Sequence, residues 1–157
     1  ITINNLIHIM YEISIAAIGN VDSGKSTLAG TLTKNVLDDG RGFARNKIIK
    51  FNHEKETGRT STITKYIIEK QQDKYYTLVD LAGHEKYLKT TLLGLSSIPI
   101  DHCLILIGAN MGVSRMTKEH LGIALALKKP LTIVITKIDI APETILKQTI
   151  KLSLIDY

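Results

Sequence analysis

The sequence holds a single cysteine, Cys103, no tryptophan, two phenylalanines and three prolines. One cysteine cannot close an internal disulfide, so the fold must rest on a buried apolar core, and a reducing, cytoplasmic compartment suits it. No apolar run approaches the roughly 20 residues of a membrane span, and no membrane partner is expected. Repeats, heptads and low-complexity tracts are missing, which sets aside solenoids and coiled coils. The chain opens at Ile1 with neither the basic flank nor the small-residue cleavage pattern of a secretory signal. No strong excess of one charge sign occurs: 20 Lys and Arg face 15 Asp and Glu, a net charge of +5 that permits an anionic partner without requiring one. A monomer is the default expectation.

What is present reads as one globular domain. Hydrophobic residues make up 44% of the 157 positions and charged residues 22%, close to ordinary globular usage. The length suffices for one core and falls short of two ordinary domains. The apolar pattern alternates between compact runs and helical spacing. Ile13 and Ile15–Ile18 form a β-prone run ending at Gly19, and Lys25–Leu37 follows with Leu28, Leu32, Val36 and Leu37 on one helical side. Residues 38–62 read as a long loop, a feature more often functional than structural. Ile63–Lys70 and Tyr75–Asp80 suit a hairpin, and Tyr87–Leu95 a helix. His102–Ala109 and Leu131–Ile135 lack polar alternation, as strands buried on both faces do. Thr117–Lys129, with Leu121, Ile123, Ala124, Leu125 and Leu127, predicts a helix with a broad apolar face. After Pro142, a last helix carries Ile145, Leu146, Thr149 and Ile150 on one face. This order predicts an α/β fold, an open and mostly parallel sheet with helices on both faces and its ligand site beyond the carboxyl ends of the strands. Residues 1–10 stand outside the pattern as an extension of undetermined structure; residues 11–157 carry the domain.

Three stretches after strand candidates carry chemistry. Gly19-Asn20-Val21-Asp22-Ser23-Gly24-Lys25-Ser26, followed by Thr27, matches the phosphate-loop pattern G-x-x-x-x-G-K-S/T. Its glycines let backbone N–H groups converge on phosphate oxygens, and the helix that follows adds its dipole. Lys25 is placed to reach the β- and γ-phosphates, and the Ser26 hydroxyl to ligate Mg2+. A chance glycine turn is the bland alternative, which the strand before and the helix after oppose. The loop by itself separates neither ATP from GTP nor kinase from hydrolase. Asp80-Leu81-Ala82-Gly83-His84 puts a carboxylate at a strand end, where it can hold magnesium through water, and a glycine whose N–H can approach the γ-phosphate. Standing alone it would read equally well as a strand-to-turn exit. Thr136-Lys137-Ile138-Asp139 follows the last strand candidate. A carboxylate at 139 can accept from guanine N1–H and the 2-amino group together, a pattern adenine lacks, while the Lys137 stem covers the base.

In this order and spacing the stretches resemble the GTPase domain of the translational GTPases, the group of elongation factor Tu and elongation factor 1-alpha. Asp39–Arg45, Gly58-Arg59-Thr60-Ser61, Ala82–Thr91 and Met116–Gly122 are similar to the branch of that family containing GTP-binding protein 1. The resemblance spans Ile13 to the end. It implies a phosphate-loop GTPase fold that binds GTP and GDP with Mg2+ and hydrolyses GTP. It implies that Thr60, in switch I, binds magnesium and the γ-phosphate, that Gly83 is the switch II glycine, and that His84 orients the attacking water. Ser26, Thr60 and Asp80 then form the metal set. His8, His53, His102 and His120 read as structural or surface residues.

Three departures qualify the resemblance. Position 136 is threonine where most GTPases have asparagine, so one short hydroxyl must replace an amide that bonds both loop and base. The GTP-binding protein 1 branch shares that threonine, so guanine selectivity through Asp139 is expected to survive. Arg59 stands where elongation factor Tu has a gating isoleucine, which leaves Val21 as half a gate and makes Arg59 a candidate cis arginine by analogy. The guanine-supporting loop and sixth strand do not appear, Ser153-Leu154 being a poor substitute, nor do the β-barrel domains of the family. The reading is of a piece of a longer protein, one strand and one helix short. The run Arg41, Arg45, Lys47, Lys50, Lys55 and Arg59 reads as a solvated loop face that in this family meets the ribosome and its RNA, where Phe43, Phe51 and His53 could stack. A small-molecule kinase would need an arginine-rich lid, and none follows Thr117. A GTP-binding module without turnover is opposed by intact Ser26, Thr60 and His84.

Overall fold

The computed structural model describes residues 11–49, 61–71 and 73–155. The extension 1–10, Arg59, Thr60, Lys50, Lys55, Phe51, His8 and His53 lie outside the described residues.

Five strands make one sheet: β1 (Tyr11–Gly19), β2 (Thr64–Gln71), β3 (Lys74–Asp80), β4 (His102–Gly108) and β5 (Leu131–Thr136). Their order is β2-β3-β1-β4-β5. β3, β1, β4 and β5 pair in parallel, and β2 joins antiparallel to β3 with a bulge between Ile67 and Glu69. The helices are α1 (Lys25–Lys34), the single turn α2 (Phe43–Asn46), α3 (Leu88–Ser97, after a 3-10 turn at Glu85–Tyr87), α4 (Arg115–Ala126) and α5 (Glu143–Ile155). The strand order reverses between β1 and its neighbours β3 and β4, and this switch point fixes where a ligand fits.

Alternate residues of the central strands feed two cores, one on each sheet face. Ala16, Ile18, Val79, Leu81, Cys103, Ile105 and Ile107 pack with Leu95 of α3 and Ala124 of α4. Ala17, Leu78 and Leu106 pack with Ala29 of α1 and Ile48 on the other face. Each fully buried aliphatic side chain contributes about 2 kcal/mol of transfer free energy, and this double burial explains why the strands read as unbroken apolar runs. Cys103 is buried in the first core, and burial raises its thiol pKa to about 11.

The structure differs from the sequence-based expectation at four places. α1 ends at Lys34, not Leu37, because Asn35 adopts the left-handed conformation that stops helices; Leu37 is exposed as a result. On α4 the buried positions are Thr117, His120 and Ala124, while Leu125 faces solvent. β5 is half-buried rather than buried on both faces, because it forms an edge of the described sheet. Ile150 is exposed, and Thr149 takes its place as the buried member of α5.

Candidate functional site

The phosphate loop leaves β1 at Gly19, whose backbone meets the carbonyl of Leu106 so closely that no side chain fits. Asp22 and Gly24 both take positive φ, 59° and 88°, which turns the chain back on itself before α1 begins at Lys25. The Lys25 ammonium is buried and donates to the carbonyl of Gly19 at 3.0 Å and to that of Asn20. Burial holds its pKa down at about 8; the carboxylates of Asp80 and Asp22 draw it upward, and the Arg45 guanidinium depresses it. Ser26 Oγ donates to Asp80 Oδ2 at 2.7 Å, and Asp80 is 2% exposed at the end of β3. A serine hydroxyl beside a buried carboxylate is the hard-oxygen pair that suits Mg2+. No cluster of three or more His, Cys, Asp or Glu side chains occurs among the described residues.

The chain after β3 is pressed onto this loop. A Cβ at Gly83 would collide with Lys25 Nζ and lie 2.6 Å from the Gly19 carbonyl oxygen, so only glycine lets the two segments touch. Buried Thr91 of α3 donates to the Ala82 carbonyl at 2.7 Å and fixes the approach from behind. His84 caps the 3-10 turn, its Nδ1 accepting from the Lys86 N–H at 3.1 Å. In the neutral ring that bond leaves the proton on Nε2. The ring stands edge-on to Tyr87.

Thr136 closes the other side. Its hydroxyl lies 2.9 Å from the Ser23 carbonyl oxygen and 3.3 Å from that of Ile107. The hydroxyl thus ties the end of β5 to the loop. Lys137 follows in the left-handed conformation, φ 57°. Asp139 is exposed on the turn beyond it.

One cleft is lined by Val21, Asp22, Gly24, Lys25, Ser26, Thr27, Gly83, His84 and Lys137. Asp80 joins it through Ser26, and Thr136 through Ser23. Gly19, Asn20 and Ser23 belong to the loop but not to the lining, touching it through their carbonyls, which accept from Lys25 and Thr136; Asp139 stands apart from the lining, and Thr60 lies outside the described residues. One lining residue was missed: Arg45, expected on a solvated face, turns into the cleft instead. The signal was Asp38-Asp39-Gly40-Arg41-Gly42 just before it, two carboxylates and two glycines that fold a tight turn.

A mostly parallel sheet with a phosphate loop at its switch point, a glycine turn on the loop and a threonine brace from the edge strand β5 defines a phosphate-loop GTPase fold. The chain belongs to the family of the elongation factor Tu GTP binding domain, whose sequence pattern matches residues 11–155. It is 45% identical over 165 residues to GTP-binding protein 1 of Xenopus laevis, covering 90% of this chain and 25% of that protein. Among solved structures it is similar to the bacterial selenocysteine-specific elongation factor EF-Sec, with a TM-score of 0.73 and 26% identity over 90% of this chain and 22% of that one. It is similar also to translation elongation factor SelB of Methanococcus maripaludis in complex with the GTP analogue GppNHp, with a TM-score of 0.69 and 25% identity over 92% of this chain and 26% of that one. The chain spans about a quarter of the length of each.

Proposed function

We propose that the domain is a GTP-hydrolysing switch of the translational type, acting in the cytoplasm. The observation that carries this reading is the single cleft in which Lys25, the Ser26–Asp80 pair, Gly83 and His84 meet. Lys25 and the loop N–H groups bind the phosphates. Ser26 and Asp80 would hold Mg2+, which when bound would neutralise phosphate charge. Hydrolysis of a phosphoanhydride needs in-line placement of water more than covalent help. His84 supplies that placement: its Nδ1 is engaged by Lys86, so Nε2 is the edge that meets water. Gly83 senses the γ-phosphate through its N–H, and Thr60 joins it from switch I as a ligand of magnesium and phosphate. Loss of the γ-phosphate releases both segments, which is the switch.

Guanine is selected by the Asp139 carboxylate, with Lys137 covering the base. SelB of M. maripaludis was solved with a GTP analogue, in keeping with a guanine site. Exposed Arg41 and Lys47, with the charges that follow them in sequence, supply a basic face for the ribosome or its RNA. No helix among the described residues is long and apolar enough to cross a membrane.

The test is phosphate release with magnesium and either GTP or ATP, with and without ribosomes. Slow release from GTP that ribosomes accelerate, and that His84→Ala removes, is the expected result. Preference for ATP, or transfer of phosphate to a small acceptor, contradicts it in favour of a kinase. Tight GTP binding without release under either condition contradicts it in favour of a binding module.

A further inference from the structure

The segment carrying Arg45 is built with more care than a solvated loop requires. Asp38 Oδ1 accepts from the Ala44 N–H at 2.9 Å, and its Oδ2 from the Gly40 N–H at 3.1 Å. Asp39 Oδ1 accepts from the N–H groups of Arg41 at 2.8 Å and Phe43 at 3.1 Å. Those backbone bonds hold the Asp39 carboxyl below its usual pKa. Gly40 and Gly42, at φ 76° and 88°, allow the turn. The turn seats Ala44, fully buried, against Gly30 of α1, where a Cβ would collide with the Ala44 carbonyl. Four residues on, Ile48 enters the core beside Ala29. α2 is therefore clamped to α1 from both sides, and Arg45 between the clamps lines the phosphate cleft.

The Asp22 carboxylate lines the same cleft. Arg45 Nε is buried and has no hydrogen-bond partner among the described residues. No carboxylate among the described residues forms an ion pair with it. The Arg45 charge disfavours the Lys25 ammonium, against the opposite pull of Asp80 and Asp22. The two cations share one cleft, and Arg45 Nε brings to it a buried donor with no partner among the described residues. A planar guanidinium is matched to phosphate oxygens, which accept from two of its N–H groups at once.

We propose that Arg45 is a second phosphate-binding cation of the site, supplied by the turn after α1, that donates to the polyphosphate of the bound nucleotide alongside Lys25. The proposal rests on the nucleotide-binding reading and adds a residue to it.

The experiment is calorimetric titration of the purified protein and its Arg45→Ala, Arg45→Gln and Arg45→Lys variants with magnesium and GDP, GppNHp or ADP, with unfolding midpoints measured without nucleotide. Arg45→Ala and Arg45→Gln are expected to bind nucleotide about tenfold to a hundredfold more weakly, the range for losing charge-assisted hydrogen bonds. Arg45→Lys should recover part of the loss, and the midpoints should stay near the parent's. A larger loss for GppNHp than for GDP assigns the contact to the γ-phosphate. Unchanged affinity in Arg45→Ala or Arg45→Gln overturns the proposal, as does a loss matched by a fall in midpoint and not recovered by lysine. Equal affinity of the parent for ADP and GDP would instead contradict guanine selection, and the role of Arg45 would still be read on either nucleotide. No nucleotide binding by the parent overturns both.

Discussion

The phosphate end and the base end of the cleft are built differently. At the phosphate end, backbone touches backbone: Gly19 against Leu106, Gly83 against Gly19 and Lys25, with Asp80 and Thr91 buried behind them. At the base end, Lys137 sits in a left-handed turn off an edge strand, and Asp139 is exposed. Thr136 joins the two through its bond to the Ser23 carbonyl. Geometry at the first end is over-determined by the core. At the second it hangs on one hydroxyl and a short turn. Phosphate binding should therefore be rigid and sensitive to any added atom, and base recognition should rest on the chemistry of a single carboxylate.

The largest effect should come from adding one carbon at the rigid end. Gly83→Ala places its Cβ onto Lys25 Nζ and the Gly19 carbonyl, with no flexible neighbour to yield except Lys25 itself. Overpacking of about 1–3 kcal/mol falls directly on the phosphate site, so nucleotide affinity should drop up to about a hundredfold while the fold survives. Calorimetry with GDP and a thermal melt check both halves. Retained affinity would show that the two segments are not locked.

Asp139→Asn tests the other end. It removes the acceptor pair for guanine N1–H and the 2-amino group and leaves the phosphate cleft intact. Affinity for GDP should fall about tenfold or more, the scale of a charge-assisted pair, and the gap between GDP and ADP should close. If the GDP-to-ADP ratio stays as in the parent, Asp139 does not read the base.

The next effect is a pH dependence from Lys25. Its folded pKa, about 8, lies below the ordinary 10.5. Phosphate favours the ammonium, so binding above pH 8 must take up a proton, and affinity should weaken by at most about tenfold per pH unit there. Below pH 8 this group imposes no dependence. The stability of the nucleotide-free protein has the opposite slope: the unfolded chain holds more protons between pH 8 and 10.5, so this group adds stability as pH rises through that window. Affinity that is flat to pH 9.5 would contradict the burial of Lys25.

The smallest effect should be Thr136→Val. It deletes the 2.9 Å bond to the Ser23 carbonyl without changing shape, at a cost of about 1 kcal/mol in stability. GDP affinity should weaken by less than in Gly83→Ala, because the core still holds the loop. Equal losses would erase the proposed difference between the two ends.

The same contrast explains what could be read from the sequence. The phosphate loop was legible because its residues are contiguous and each type answers a local demand: Gly24 takes a φ of 88°, and Lys25 and Ser26 reach the Gly19 carbonyl and Asp80 through their side chains. Asp80 and Gly83 were legible because a strand end fixes their place beside it. Arg45 was not, because Asp38–Gly42 signals the turn but not where it docks, which depends on Ala44 meeting Gly30, a contact between separate segments. The half-buried state of β5 was hidden for a similar reason: an apolar run does not say which edge of a sheet it occupies. The end of α1 was legible in principle, since Asn35 is a residue type that accepts left-handed backbone.

The most direct test of a guanine-nucleotide switch is a side-by-side titration of the purified protein with GDP and ADP in the presence of magnesium. The account predicts saturable GDP binding and ADP binding weaker by about tenfold or more, the contribution of the Asp139 carboxylate. Equal affinities, or tighter binding of ADP, would contradict it.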